Sequence, residues 1–237
     1  MRILILSDVA HTATLGLIRG TLRAADARPG WSVRALVTTR PEAFAPGPTR
    51  VIRTALRRGV VMATTRRQPY GRGMPLGHEL PRELARRGVP VEVPPGGDVH
   101  APAFLARIRD ELRPDLTLSF YCVHILRPEF LDVAGRVVNF HDGLLPAYRG
   151  LYATAFSILD DAGRSGFTYH WIDVGLDTGP VLADGAVPVG PGDCLTDVTR
   201  RKVRAAVAAL PAVLDQAAAW IRERIETTVD RMKTDAA

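Results

Sequence analysis

The 237-residue chain predicts an α/β fold: a Rossmann-like, open, mostly parallel twisted sheet with helices on both faces and a short helical C-terminal extension. Three observations carry this. The chain opens on a short apolar run, Ile3–Leu6, of the kind a buried central strand shows. Strand-like and helix-like segments then alternate over most of the length. Finally, Leu195–Arg231 is rich in Ala, Leu, Val, Arg and Glu, with Pro211 as its breaker, so it reads as one kinked helix or two.

The elements follow in order. Thr12–Ala25 places Leu15, Ile18, Leu22 and Ala25 at helical spacing, and Trp31–Thr38 is a second strand. This strand–helix–strand start implies a parallel pair with a right-handed crossover. Pro41–Gly77 is rich in Pro, Gly and Arg and reads as irregular, with a short helix near Val51–Arg58. Pro81–Arg87 is helical and Gly88 stops it; Val89–Val93 is a strand. Pro102–Leu112 is a helix closed by Arg113-Pro114, and Asp115–Phe120 is a strand. A short helical piece at Pro128–Val133 precedes a strand at Arg136–Phe140. Leu151–Asp161 is a helix, while Ser165–Asp173 and Val181–Val189 alternate as edge or mixed strands.

Composition narrows the function classes. Hydrophobic residues make up 46%, enough for a sizeable core. No apolar run reaches membrane-span length, and the N-terminus is too short for a signal-peptide core, so a cytoplasmic protein is expected. Two cysteines, Cys122 and Cys194, build neither a disulfide framework nor a zinc site; no metal is expected. The net charge of +6 is concentrated: Arg50–His78 holds seven arginines and no acid. Such a stretch is a solvated insertion or a patch for nucleic acid or an acidic partner. With Tyr70 its one ring, the solvated reading is preferred. The first turn, Ser7-Asp8-Val9-Ala10-His11-Thr12, has no dinucleotide fingerprint, and no Walker phosphate loop occurs. A nicotinamide dehydrogenase or a P-loop kinase is therefore disfavoured.

The chemistry-bearing segment is Val137-Val138-Asn139-Phe140-His141-Asp142-Gly143-Leu144-Leu145-Pro146-Ala147-Tyr148-Arg149-Gly150. Asn139 and His141 are two apart at a strand end, so they share a face. Open α/β sheets place ligands at that end. An amide and an imidazole side by side suit donation to an oxygen that becomes negative during acyl transfer. Taken in isolation, the two residues more readily satisfy backbone groups at a turn. Downstream, Asp173-Val174-Gly175-Leu176-Asp177-Thr178-Gly179-Pro180 presents carboxylates in a Gly-containing connection.

Together the two segments resemble the formyltransferase family that uses N10-formyltetrahydrofolate, over about Asp115–Asp193. The resemblance implies that Asn139 polarises the formyl oxygen and His141 stabilises the oxyanion. Asp177 orients His141, favours its charged form and relays a proton. It also implies a folate pocket from Val123, His124, Ile125 and Leu126, faced by Asp173, Val174 and Leu176. Phe140 and Asp142 are expected on the acceptor side, although Asp142 could instead shape the turn. His124 is expected to line the pocket rather than act as a base.

Where many relatives read His-Pro-Ser, this chain reads His141-Asp142-Gly143, as in some natural-product and peptide-synthetase formylation domains. The purine-pathway relatives' phosphate loop is missing after the first strand. The segment after Asp177 reads helical where the initiator-tRNA enzyme has a β-domain. The expected acceptor is thus the amine of a small metabolite or carrier-bound aminoacyl group, with nucleic acid disfavoured and a homodimer allowed. Two alternatives stay open. One is hydrolysis of the donor to formate, and the other is a binding module using Arg50–Arg72. The expected division is a catalytic domain over 1–193, with a basic insertion at 41–77, and a helical extension over 194–237.

Overall fold

In the computed structural model, residues 1–8, 12–40 and 80–235 are described. The basic insertion, the short helix near Val51–Arg58 and most of the first turn lie outside them. The described strands are β1 (Arg2–Leu6), β2 (Ser32–Val37), β3 (Val91–Glu92), β4 (Leu116–Phe120), β5 (Arg136–His141), β6 (Arg164–Trp171) and β7 (Val181–Pro188). The helices are α1 (Thr12–Asp26), α2 (Leu80–Arg86), α3 (Pro102–Arg107), α4 (Pro128–Leu131), α5 (Ala153–Leu159) and α6 (Leu195–Asp235). A π-helical turn, Ile108–Leu112, continues α3 and ends on Arg113 in the left-handed region.

The strands form one sheet in the order β3-β2-β1-β4-β5-β6-β7. The first five are parallel, and β6 and β7 run antiparallel. This is the expected α/β sheet. β1 is central and covered on both faces, which is why it is apolar at every buried position rather than alternating. Ile3 and Ile5 enter one core, while Leu4 and Leu6 enter the other.

The first core packs α1, α2 and α6 against the rings of Phe140, Phe167, Tyr169 and Trp171. The second is built by Phe104, Ile108, Leu112, Phe130, Ala134 and Val137. α6 is one continuous helix with Pro211 inside it. Its first half is part of the main core rather than an appendage: Ala206, Leu210, Val213, Leu214 and Ala217 are buried there. Close approach of α1 to α6 explains two glycines inside a helix. A Cβ at Gly16 would stand 3.3 Å from Val203, and one at Gly20 would stand 3.2 Å from Leu210. Arg136 lies over both Trp171 and Trp220, tying β5 to α6. Among the described residues no helix is long and apolar enough to cross a membrane.

Candidate functional site

β5 positions the first two site residues. Alternation sends Val137, Asn139 and His141 to one face and Val138 and Phe140 to the other. Val137 is in the second core, and Val138 and Phe140 are in the first. Antiparallel pairing sets His170 of β6 opposite Asn139 and Thr168 opposite His141. The β6–β7 connection starts at Ile172, whose N–H donates to Val137 O, and folds back over this face.

Asp177, in the left-handed region at φ 51°, is thereby placed between two imidazoles. Its Oδ2 is 3.4 Å from His141 Nδ1, and its Oδ1 is 3.5 Å from His170 Nε2. Gly150 N–H donates to Asp177 Oδ2 at 2.9 Å. Burial alone would raise this carboxyl. The His170 contact, the Gly150 N–H and the nearby His141 bring it down to about 2.

His141 presents its other nitrogen, Nε2, to the carbonyl of Tyr148. Both ring nitrogens thus face groups that can only accept, an arrangement fully satisfied by an imidazolium. Asn139 Nδ2 is 3.2 Å from His170 Nε2, and His170 Nδ1 is 2.9 Å from Trp171 O. A carbonyl only accepts, so Nδ1 carries a proton, and Nε2 faces both the Asn139 amide and Asp177 Oδ1. One N–H of the Asn139 amide remains for a ligand.

The proposed pocket loops are rooted together. Leu126 is buried in the second core, and Ile172 packs against the same core. From these roots Val123, Ile125, Val174 and Leu176 project as exposed apolar side chains. Asp173 does not reach the imidazoles. Its Oδ1 accepts from Gly175 N–H at 3.0 Å and from the Thr178 hydroxyl at 2.6 Å, which folds the connection.

Asp8, buried after β1, accepts from Thr39 N–H and the Thr39 hydroxyl, each at 2.7 Å, and from Val123 N–H at 3.1 Å. Having given its proton to Asp8, the Thr39 hydroxyl accepts from His124 Nε2 at 2.9 Å. The ends of β1, β2 and β4 are thus pinned, and with them the 121–126 loop.

One expectation needs correction, and another, held between two readings, is narrowed. Phe140 was expected on the acceptor side. It is 3% exposed and packs among Tyr121, Phe167 and Tyr169 on the opposite face from Asn139. Strand alternation accounts for this. Asp142 was expected to contact the acceptor or shape the turn. Both its oxygens are engaged: Oδ1 with Lys202 Nζ at 2.7 Å, and Oδ2 with the Thr154 hydroxyl at 2.7 Å. It shapes the turn.

Sequence reading missed His170, Lys202 and the Asp8–Thr39 pair. Lys202 had a signal: it sits in register with Val198, Ala206 and Leu210, a charge on an apolar stripe. His170 had a weaker one, as a histidine in an alternating strand that proves to be buried. Among the described residues no group of three or more His, Cys, Asp or Glu is placed to hold a metal ion.

A family model described as formyl transferase matches residues 90–214, more than half of the chain. Methionyl-tRNA formyltransferase of Trichlorobacter lovleyi is 34% identical over 158 residues, which is 66% of this chain and 49% of that protein. Phosphoribosylglycinamide formyltransferase of Mycobacterium tuberculosis is 41% identical over 105 residues, 41% of this chain and 49% of that one. The chain therefore spans about half the length of these curated relatives.

Among solved structures, phosphoribosylglycinamide formyltransferase from Bacillus halodurans superposes with a TM-score of 0.62 at 21% identity, covering 91% of this chain and 94% of that one. A sugar N-formyltransferase from a Shewanella species gives 0.60 at 20%, covering 92% and 69%. At these identities the likeness concerns the fold.

Proposed function

The chain belongs to the formyl transferase family, and from that premise we propose that it moves the formyl group of N10-formyltetrahydrofolate onto a primary amine. The acceptor is a small metabolite or a carrier-bound aminoacyl group. The observation that carries this reading is the convergence of Asn139, His141 and Asp177 on one sheet face, with His170 holding both Asn139 and Asp177.

In this reading the amine nitrogen attacks the formyl carbon, and the C–O π electrons move onto oxygen. Asn139 donates its remaining amide N–H to that oxygen. His141 donates from Nε2, the formyl oxygen taking the place that the Tyr148 carbonyl holds here. Oxyanion donors of this kind are worth ~10²–10³ in rate. When the intermediate collapses, the bond from carbon to the folate nitrogen breaks. Asp177 moves a proton from the attacking amine toward the departing nitrogen.

The apolar side chains of Val123, Ile125, Val174 and Leu176, on two loops rooted in one core, fit a flat heteroaromatic ring. The catalytic unit is residues 1–193 together with the core-packed first half of α6.

The test is purified protein mixed with the formylated folate and a panel of amino sugars, amino acids, carrier-bound aminoacyl groups and aminoacyl-tRNA. Tetrahydrofolate formation that depends on an amine supports transfer. Formate release without an amine would mean hydrolysis. No folate product and no folate binding would end the reading, and RNA affinity that collapses with salt would favour the binding-module alternative.

A further inference from the structure

Lys202 is the one lysine in the buried set of described residues, with a fully covered side chain. It comes from α6, beyond the strand motif that carries the site chemistry. Its ammonium is 2.7 Å from Asp142 Oδ1, donates to Asp142 O at 2.9 Å, and reaches the Thr154 hydroxyl. Burial, with the Asp142 carboxylate adding to it, pushes the Tyr121 phenol up. Burial pushes the lysine down and Asp142 pushes it back up, with burial the larger influence.

Burying an ammonium is costly, and an apolar side chain of similar volume often serves stability as well. Packing alone therefore gives no reason for a lysine on this stripe. The location gives one. Asp142 directly follows His141, and Lys202 holds both its side chain and its backbone carbonyl. The same turn is closed by Thr168, which donates to Gly143 O and accepts from Leu145 N–H.

We propose that Lys202 is a positioning residue of the formyl-transfer site: it locks the turn that aims His141 and cancels the Asp142 charge, leaving Asp177 as the anionic partner of the imidazole. The inference rests on the transfer reading above for its catalytic meaning. The groups around His141 are Asp177 from the β6–β7 connection, His170 from β6 and the Tyr148 carbonyl from the following turn. Asp142 adjoins it in the chain, with Lys202 set on that carboxylate and the Tyr121 phenol in its field. Removing the lysine adds one uncompensated negative charge to this set, and removing Asp142 adds one positive charge.

Three full-length variants test it: K202M, D142N and the double variant. In K202M, kcat falls about 10- to 100-fold through misaimed His141, while KM for the folate donor stays within about twofold, because no pocket side chain is touched. The alkaline limb of the pH–rate profile, where His141 loses its proton, moves to higher pH in K202M and to lower pH in D142N, following the sign of the added charge. The double variant returns the limb toward the wild-type position.

The imidazole resonances of His141, followed by NMR through the same pH range without substrate, shift in the same directions. If K202M fails to fold, D142N breaks the pair from the other side without loss of volume and decides the matter. Unchanged kcat and unchanged His141 resonances in D142N and K202M would overturn the proposal and leave a packing feature. A wild type that transfers no formyl group, while K202M and D142N still show the opposed NMR shifts, would sink the transfer reading while keeping the Lys202 assignment.

Discussion

Asn139 Nδ2 lies 3.2 Å from His170 Nε2, across the antiparallel pair β5–β6. The imidazole is locked from behind by Trp171 O, and its other nitrogen faces both the amide and Asp177 Oδ1. His170→Phe keeps a ring in the core but removes that polar partner. The amide is then free to present its oxygen to the formyl group, which repels rather than polarises. Loss of such an orienting partner typically costs about 10- to 100-fold. The decline is expected in kcat rather than in donor KM, and steady-state kinetics separates the two. Equal kcat in variant and wild type would remove His170 from the site.

Asp177 gives a pH prediction. Its carboxyl sits at about 2 in the folded chain, against about 3.9 for a free aspartate. The folded state therefore binds this proton more weakly, and the stabilisation is fully present above the unfolded value. It is lost as pH falls from about 4 through about 2. Asp177→Asn has nothing to lose in that window, so its acid-unfolding curve runs flatter and meets the wild-type curve at the acid end. At neutral pH the same variant loses its proton acceptor, and the transfer rate falls by about 10²–10⁴. Curves of unchanged separation between pH 5 and 2 would contradict the assignment.

The candidate site was partly legible because the three residues it was read from lie in short, ordered motifs whose spacing survives without a fold. Asn139 and His141 share a face by strand period alone. The partners were harder. His170 meets Asn139 only through strand register, and Lys202 meets Asp142 across sixty positions of chain through the docking of α6. Phe140 was misplaced for the opposite reason: its neighbours are site residues, but alternation turns it into the aromatic cluster with Tyr121 and Tyr169. The α/β class was readable from element order. That α6 completes the main core through Leu210 and Leu214 was not, because an apolar stripe does not say which face it covers.

Cys122 lies at the head of the 121–126 loop, and burial pushes its thiol up to about 12, with Asp8 adding to the shift. His124 N–H donates to its sulfur at 3.4 Å. The thiolate is the reactive form. Iodoacetamide at about pH 8 should therefore leave Cys122 unmodified in the folded protein and label it once denaturant is added. Peptide mapping by mass spectrometry reads this directly. Fast labelling in the folded state would mean that the loop opens away from Asp8.

Gly143 stands where the site tolerates no side chain. A Cβ there would lie 2.6 Å from Ala153 Cβ, 2.9 Å from Tyr148 O and 3.0 Å from His141 Nε2. The first contact is between α5 and the strand-end turn, which are held together by Thr154 and Asp142 and cannot easily part. Relief must come from the other two atoms, the donor and acceptor of one hydrogen bond. Gly143→Ala should thus act twice. Overpacking costs roughly 1–3 kcal/mol, and each kcal/mol lowers Tm by about 2–4 °C in a chain of this size. Beyond that, displacing His141 should cut kcat more than the stability loss explains, while folate binding through Val123–Leu126 and Val174–Leu176 persists. Calorimetry and donor titration on the same preparation distinguish the effects, since a variant with lowered Tm but undiminished kcat would show that the turn yields at Ala153 and leaves the imidazole in place.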